Sequence, residues 1–192
     1  MPVLSFFLYV FVSSFTPGPN NIMAMLFANQ YGFKRTVGFC IGVGTGFFII
    51  MLLSSYFNLV LKSFIPKIEG SMTVLAAVYM IYLAVKIVIS KDSDIEEGKN
   101  NSFIAGVVLQ FINPKAVLFG LTVASTFIIP YYSSHVSLLL FSIFLGFVGF
   151  LSTTSWSVLG FLFQKFLVKY RSRFNVVMAL LLVYSAISIL VK

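Results

Sequence analysis

Charged residues are scarce in this sequence. Of its 192 residues, 9% are charged and 59% are hydrophobic, and four of the five acidic residues lie in one stretch, SKDSDIEEGKNN. A soluble domain carries roughly a quarter charged residues, because its core has to be covered by a hydrated surface. The composition therefore excludes an ordinary soluble protein and predicts a chain whose solvent is the lipid bilayer.

Cysteine and histidine are almost absent, with one residue of each type, Cys40 and His135. A single cysteine forms no disulfide within the chain. One cysteine and one histidine also supply neither a zinc site nor a Cys–His nucleophile, so we predict no metal site and no cofactor. The net charge of +8 is spread between the apolar stretches instead of forming one basic block, which argues against a nucleic-acid partner.

Six apolar stretches fill most of the chain, and each is long enough for a helix across a hydrocarbon core of about 30 Å. Helices are expected because isolated strands would leave their backbone groups unpaired in lipid. We predict an all-α, polytopic membrane protein that forms one domain, residues 1–192. Its six transmembrane helices are predicted at approximately Val3 to Asn29, Val37 to Leu61, Met72 to Ile89, Phe103 to Phe127, Val136 to Phe163 and Phe174 to Val191.

Basic residues are distributed unevenly between the two sides of the predicted membrane domain. Nine lie in or beside the connections that follow the first, third and fifth spans, and three lie in the second connection and at the carboxyl terminus. Positive residues concentrate on the cytoplasmic side of membrane proteins. The bias therefore predicts that both termini lie outside the cytoplasm.

The acidic stretch, at about residues 91–102, separates two sets of three predicted spans, at about residues 1–90 and 103–192. An odd number of spans per half places the halves in opposite orientations, which is the inverted repeat of many secondary transporters. The first span of each half carries a proline–asparagine cluster, SFTPGPNN in one and FINPKA in the other. We therefore predict that the first helix of each repeat is broken.

These two clusters supply the candidate substrate-binding residues. Proline removes a backbone donor and clashes with the preceding turn, and such a break is tolerated at membrane depth only inside protein or beside a wet cavity. The amides after a break favour an anion such as a carboxylate. We expect the carbonyls before it to accept an ammonium group and two asparagines to partner freed backbone groups. The candidates are Pro17, Gly18, Pro19, Asn20, Asn21, Gln110, Asn113, Pro114 and Lys115, with Asn20 and Asn21 as the expected caps.

Lys115 is the only Lys, Arg, Asp or Glu well inside a predicted span. A lysine at that depth costs about 3 kcal/mol to insert, so we expect it to face a cavity and bind a substrate carboxylate. Snorkelling to the interface is the alternative. The lack of acids in the spans disfavours cationic cargo and coupling through an intramembrane carboxylate. It favours a small zwitterionic amino acid as the partner.

Glycines at four-residue spacing mark predicted helix contacts. The stretch GFCIGVGTGFF places Gly38, Gly42 and Gly46 on one helix face, and Gly149 begins a similar row in the fifth span. Small residues at this spacing let the backbones of two helices approach closely. We expect these glycines to serve helix packing and not ligand contact.

At this point the motifs form a known pattern. TPGPNNI in the first span, the GFKR turn after it and NPKA in the fourth span resemble the LysE/RhtB family of amino-acid exporters, and the resemblance covers the full length. The stretch LQFINPKAVLFGLTVASTFIIP looks similar to the cysteine/O-acetylserine efflux branch. The resemblance implies export of small neutral amino acids across a bacterial inner membrane. The signature positions of the family fall on Pro17, Gly18, Pro19, Asn20, Asn113, Pro114 and Lys115.

Several alternatives stay open on the sequence alone. Branches of the family differ in their cargo, so threonine, homoserine or leucine is an alternative to cysteine. A small-ion transporter would need acidic residues in its path, and an intramembrane enzyme would have only a Ser–Lys pair built on Lys115. We predict a secondary transporter and not an enzyme, in contact with a zwitterionic amino acid and the lipid bilayer. A homo-oligomer is also compatible with the sequence.

Overall fold

A computed structural model describes residues 1–61, 65–89, 102–163 and 170–190. These residues are mostly helical, and this part of the chain contains no strand. The helices are α1 (Val3–Phe15), α2 (Pro19–Tyr31), α3 (Phe33–Leu61), α4 (Ile65–Ile89), α5 (Phe103–Ile112), α6 (Pro114–Val123), α7 (His135–Leu162) and α8 (Arg171–Leu190), and a π-helical turn, Ala124–Ile128, follows α6.

The first predicted break is confirmed between α1 and α2. Helix α1 ends before Thr16, whose backbone is extended, because a proline at the next position disfavours helical geometry for the residue that precedes it. Gly18 is also extended, and Pro19 is the first residue of α2, where its missing N–H costs no helical hydrogen bond. The apolar segment is therefore two helices separated by three residues.

The second predicted break is confirmed between α5 and α6. The two helices are bent by 68° relative to one another at Asn113. Asn113 is extended, and its Oδ1 accepts a hydrogen bond from the backbone N–H of Lys115 at 3.1 Å, which caps α6. Pro114 takes the first position of α6, as Pro19 does in α2. Both breaks therefore share a proline at the start of the second helix, and only α6 has a side-chain cap.

Within the described residues, two helices are long and apolar enough to cross a membrane, Phe33–Asn58 and His135–Leu162. The bent pair Phe103–Ile112 and Pro114–Ile128 adds a third crossing if it is counted as one span. The remaining apolar helices are shorter. Most of the predicted acidic connection, residues 91–101, lies outside the described residues, as do several of the basic residues behind the orientation bias: Lys62, Lys91, Lys99, Lys165, Lys169 and Lys192.

Helix α3 is central, because it packs against α2, α5, α6 and α7, whereas α4 packs mainly against α8. The contact between α3 and α5 is closest at Gly42, where a methyl group would overlap the carbonyl oxygen of Phe103. Gly46 is also tight, with a methyl position 3.0 Å from the Gln110 side chain. At Gly38 the nearest atom is 3.9 Å away, which is an ordinary contact.

The contact between α3 and α7 depends on further glycines. At Gly149 a methyl position lies 2.9 Å from the Phe47 ring, so this predicted packing residue does lie at a close helix contact. Gly44 and Gly146, which were not predicted, approach each other's helix just as closely: a methyl position on either lies 3.1 Å from the carbonyl oxygen of the other. Close packing of this kind holds the scaffold of the two breaks in place.

Candidate functional site

Lys115 joins the two breaks. Its Nζ donates a hydrogen bond to Thr16 Oγ1 at 3.0 Å and another to the carbonyl oxygen of Pro17 at 3.3 Å. Gly18 lies against the same side chain, since a methyl position there is 3.1 Å from Lys115 Nζ. The segment between α1 and α2 and the start of α6 therefore meet, as the sequence predicts, with the lysine between them.

The carbonyl groups before the first break are held by side chains of α2 and α7. Asn21 Nδ2 donates to the carbonyl oxygens of Ser14 at 2.8 Å and Thr16 at 3.0 Å. Ser152 Oγ donates to the same Ser14 oxygen at 2.6 Å. Asn21 therefore has its predicted role as a partner of freed backbone groups, and α7 adds a second donor.

Two further donors complete this set. Trp156 Nε1, also on α7, donates to the carbonyl oxygen of Phe15 at 3.2 Å. Ser185 Oγ, on α8, lies 3.0 Å from the carbonyl oxygen of Pro17 and 2.9 Å from that of Leu181, so its single hydrogen is shared between them, and the Pro17 oxygen also accepts from Lys115. All four carbonyl groups from residue 14 to residue 17 have side-chain partners.

The expectation that these carbonyls accept a substrate ammonium group stays a prediction, because the Phe15 and Thr16 oxygens each have one side-chain donor and keep a second lone pair. A buried carbonyl without a donor is costly in a low-dielectric interior. The protein removes that cost with its own serine, asparagine, tryptophan and lysine donors. Each of these oxygens accepts at least one hydrogen bond from a side chain.

The two breaks line a common cavity of about 60 Å³. Of the predicted residues, Gly18, Asn20, Asn21, Gln110, Asn113 and Lys115 line it. Pro17 contacts the site through its carbonyl group, whereas Pro19 and Pro114 set the starts of α2 and α6. Apolar walls come from α3 and α6, and the side of α7 contributes Gly149, Ser152 and Thr153.

Two amide oxygens at the cavity are buried and have no hydrogen-bond partner in the described structure, Asn20 Oδ1 and Gln110 Oε1. The other end of the Gln110 amide donates to the Val43 carbonyl oxygen at 3.1 Å. The prediction that Asn20 caps freed backbone groups is wrong, because its neighbour Asn21 does so and α2 begins without a side-chain cap. Which of two adjacent asparagines faces the break depends on how α2 packs.

Ser152, Trp156 and Ser185 are the functional contacts that sequence reasoning missed. Ser152 and Trp156 belong to the polar run STTSWS inside an otherwise apolar helix, and this run was the available signal. Ser185 lies in an apolar stretch, and nothing in its local sequence points to Pro17.

Among the described residues, the ammonium group of Lys115 has neutral oxygens as its partners, those of Thr16 and Pro17. The five acidic residues of the sequence are at positions 69, 92, 94, 96 and 97, and none of them is among the described residues that line the cavity. An ammonium group with only neutral partners in a region of low dielectric attracts an anion strongly. The arrangement can therefore hold a small molecule that carries a carboxylate.

A known protein family matches most of this sequence. The LysE type translocator model matches residues 11–192. The chain belongs to the LysE type translocator family. This LysE family chain is accordingly a membrane transporter and not an enzyme, and the resemblance seen in TPGPNNI and NPKA is confirmed.

Curated relatives of this LysE family chain match along nearly all of its length. The Cysteine/O-acetylserine efflux protein of Shigella flexneri serotype 5b (strain 8401) is 35% identical over 191 residues, which cover 98% of each chain. The protein of the same name from Escherichia coli (strain K12) is 35% identical over 186 residues, 96% of this chain and 95% of its own. No solved structure gives a significant match.

Proposed function

We propose that this protein exports small neutral amino acids, with cysteine and O-acetylserine as the first candidates, across a bacterial inner membrane. The observation that carries the proposal is Lys115, an uncompensated cation placed where two broken helices meet. The names of the relatives, which align over almost the whole chain, support the choice of cargo. A zwitterion suits a site whose cation has no acidic neighbour.

The proposed membrane arrangement has six crossings, formed by two inverted repeats of three helices. It counts α1 with α2 as one broken span and α5 with α6 as another, and it places both termini outside the cytoplasm. One shared feature of the two breaks supports the repeat: an extended residue followed by a proline, Pro19 or Pro114, starts the second helix in each. The distribution of Lys and Arg supports the orientation.

In the proposed binding step, the substrate carboxylate meets Lys115 Nζ beside the first break. Thr16 and Pro17 currently accept two of the three hydrogens of this ammonium group. A carboxylate oxygen takes the third hydrogen, and a second carboxylate oxygen displaces one of the neutral acceptors, because charge-assisted hydrogen bonds are stronger than neutral ones.

The substrate side chain lies, in this proposal, against the apolar wall of the cavity. Val43 and Phe47 of α3 and Ala116 and Phe119 of α6 form that wall. Phe47 and Phe119 are themselves in contact, with ring centroids 5.2 Å apart. A short, uncharged side chain such as that of cysteine loses little hydration on entering such a space.

Replacement of Lys115 tests the proposal. Lys115→Met keeps the length of the side chain and removes its charge, so we expect export of radiolabelled L-cysteine from loaded proteoliposomes to fall at least about tenfold, the size of one charge-assisted hydrogen bond. Lys86→Met is the matched control, because Lys86 is an exposed lysine in the last turn of α4. Equal export by the wild type and Lys115→Met would refute the assignment of Lys115.

A further inference from the structure

The cavity contains two oxygens that the protein leaves unpaired. Gln110 is only 2% exposed, and its Oε1 has no partner among the described residues. The orientation of the Gln110 amide is determined by the Val43 carbonyl group. That group can only accept, so the amide nitrogen of Gln110 faces it, at 3.1 Å. Asn20 Oδ1 is likewise buried and unpaired. A buried acceptor of this kind is destabilising unless a water or a ligand donates to it.

The other amide oxygens at the cavity already have donors. Asn113 Oδ1 accepts from the backbone N–H of Lys115 at 3.1 Å. Asn21 Oδ1 lies 3.3 Å from Ser152 Oγ and takes the weaker share of a hydroxyl hydrogen that also serves the Ser14 oxygen at 2.6 Å. The carbonyl groups of the first break are engaged as well, as described above. Asn20 and Gln110 are thus the cavity-lining residues whose amide oxygens have no donor in the part of the chain that the structure describes.

We infer that Asn20 Oδ1 and Gln110 Oε1 form the subsite for the α-ammonium group of the cargo, an inference that rests on the proposed function. An ammonium group brings three donors and no acceptor, and two unpaired acceptors in a buried wall match it. Hydrogen bonds from a charged donor to such oxygens are stronger than those between neutral groups.

Neutral acceptors also suit the charge of the site. A carboxylate in place of either amide would add a negative charge to the cavity and weaken the attraction of the site for the substrate carboxylate. Amide oxygens attract the ammonium group through their dipoles and leave Lys115 available. The site therefore recognises the two ends of a zwitterion with separate groups, Lys115 at one end and Asn20 with Gln110 at the other.

Competition among three thiols tests this subsite. Proteoliposomes containing the full chain are loaded under reducing conditions with radiolabelled L-cysteine, alone or with an excess of 3-mercaptopropionate, which lacks the ammonium group, or cysteamine, which lacks the carboxylate. We expect 3-mercaptopropionate to inhibit export by the wild type about tenfold or more weakly than unlabelled cysteine does. The reason is that 3-mercaptopropionate cannot form the charged hydrogen bonds of the ammonium group.

The variants Asn20→Leu and Gln110→Met keep the approximate shapes of the side chains and remove the acceptors. We expect each variant to lower the preference over 3-mercaptopropionate severalfold and to leave the preference over cysteamine, which depends on Lys115, unchanged. Asn58→Leu is the matched control: Asn58 is a buried asparagine on α3 that does not line the cavity, and its amide donates to Ser54 and Leu121. This control should keep both preferences.

Two results would overturn the inference. One is a wild type that transports cysteine but is inhibited equally by unlabelled cysteine and by 3-mercaptopropionate. This result is independent of whether any variant folds. The other is an undiminished preference over 3-mercaptopropionate in both Asn20→Leu and Gln110→Met. Absence of cysteine flux in the wild type would instead overturn the proposed function itself.

Discussion

At the scale of single residues, the site consists of side-chain donors that bond the backbone carbonyl groups at the break between α1 and α2. The carbonyl groups that α1 cannot use are taken up by donors from α2, α6, α7 and α8. Ser152 makes the shortest of these contacts, 2.6 Å to the Ser14 oxygen. The break is thus stabilised by side chains that are remote in sequence.

Ser152→Ala is expected to destabilise the protein by about 1 kcal/mol, the usual worth of one buried hydrogen bond. The loss is limited because Asn21 still donates to the Ser14 oxygen. Thermal unfolding in detergent measures the change. Ser155→Ala is the control, since Ser155 lies on the same helix, is exposed and bonds only to its own helix at Leu151. Equal melting temperatures for the two variants would contradict the role given to Ser152.

At the scale of helices, the position of the cavity depends on how closely α3 and α5 approach. Gly42 of α3 and Gly106 of α5 each face backbone of the other helix, at Phe103 and Phe39 respectively. Backbone cannot move aside as a flexible side chain can, so a methyl group at either glycine forces the helices apart. Gln110, which lines the cavity, lies on the same helix as Gly106.

Gly42→Ala is therefore expected to destabilise the protein by about 1–3 kcal/mol, the range for an overpacked core. Gly38→Ala lies one turn earlier on the same face and has its nearest neighbour 3.9 Å away. Its effect should be neutral or slightly stabilising, because alanine favours a helix by about 1 kcal/mol over glycine. Melting temperatures of the two variants in detergent decide this, and a Gly42→Ala protein as stable as Gly38→Ala would exclude the close contact.

The breaks could be predicted because proline acts locally. Pro17 and Pro114 interrupt their helices whatever surrounds them, and the sequence alone places both. The partners of the broken ends could not be predicted, because Trp156 and Ser185 reach the break only through the packing of α7 and α8. The same reason explains why Asn21, and not Asn20, bonds the carbonyl groups before the break.

At the scale of the whole molecule, the described surface is consistent with a lipid surround. Large apolar side chains such as Leu4, Ile104 and Tyr184 are about 70% exposed, at 74%, 70% and 69%. Water would penalise this exposure, whereas acyl chains do not. The polar groups of the two breaks are instead turned toward each other.

The proposed orientation makes a prediction about reagent access. In a Cys40→Ala background, Ser133→Cys should react in intact cells with a membrane-impermeant maleimide, because Ser133 precedes α7 on the proposed outer side. Lys34→Cys, at the exposed start of α3, should react only after the cells are opened. The reverse pattern would invert the proposed topology, and labelling of both residues in intact cells would disprove a single orientation.

The neutral partners of Lys115 among the described residues have a consequence for membrane voltage. A zwitterion adds one positive and one negative charge, so loading the site leaves its net charge unchanged as long as the lysine keeps its proton. An electric field acts on net charge moved across the membrane. Voltage would then bias the loaded and the empty carrier equally, and the direction of net flux would follow the concentrations of the amino acid on the two sides.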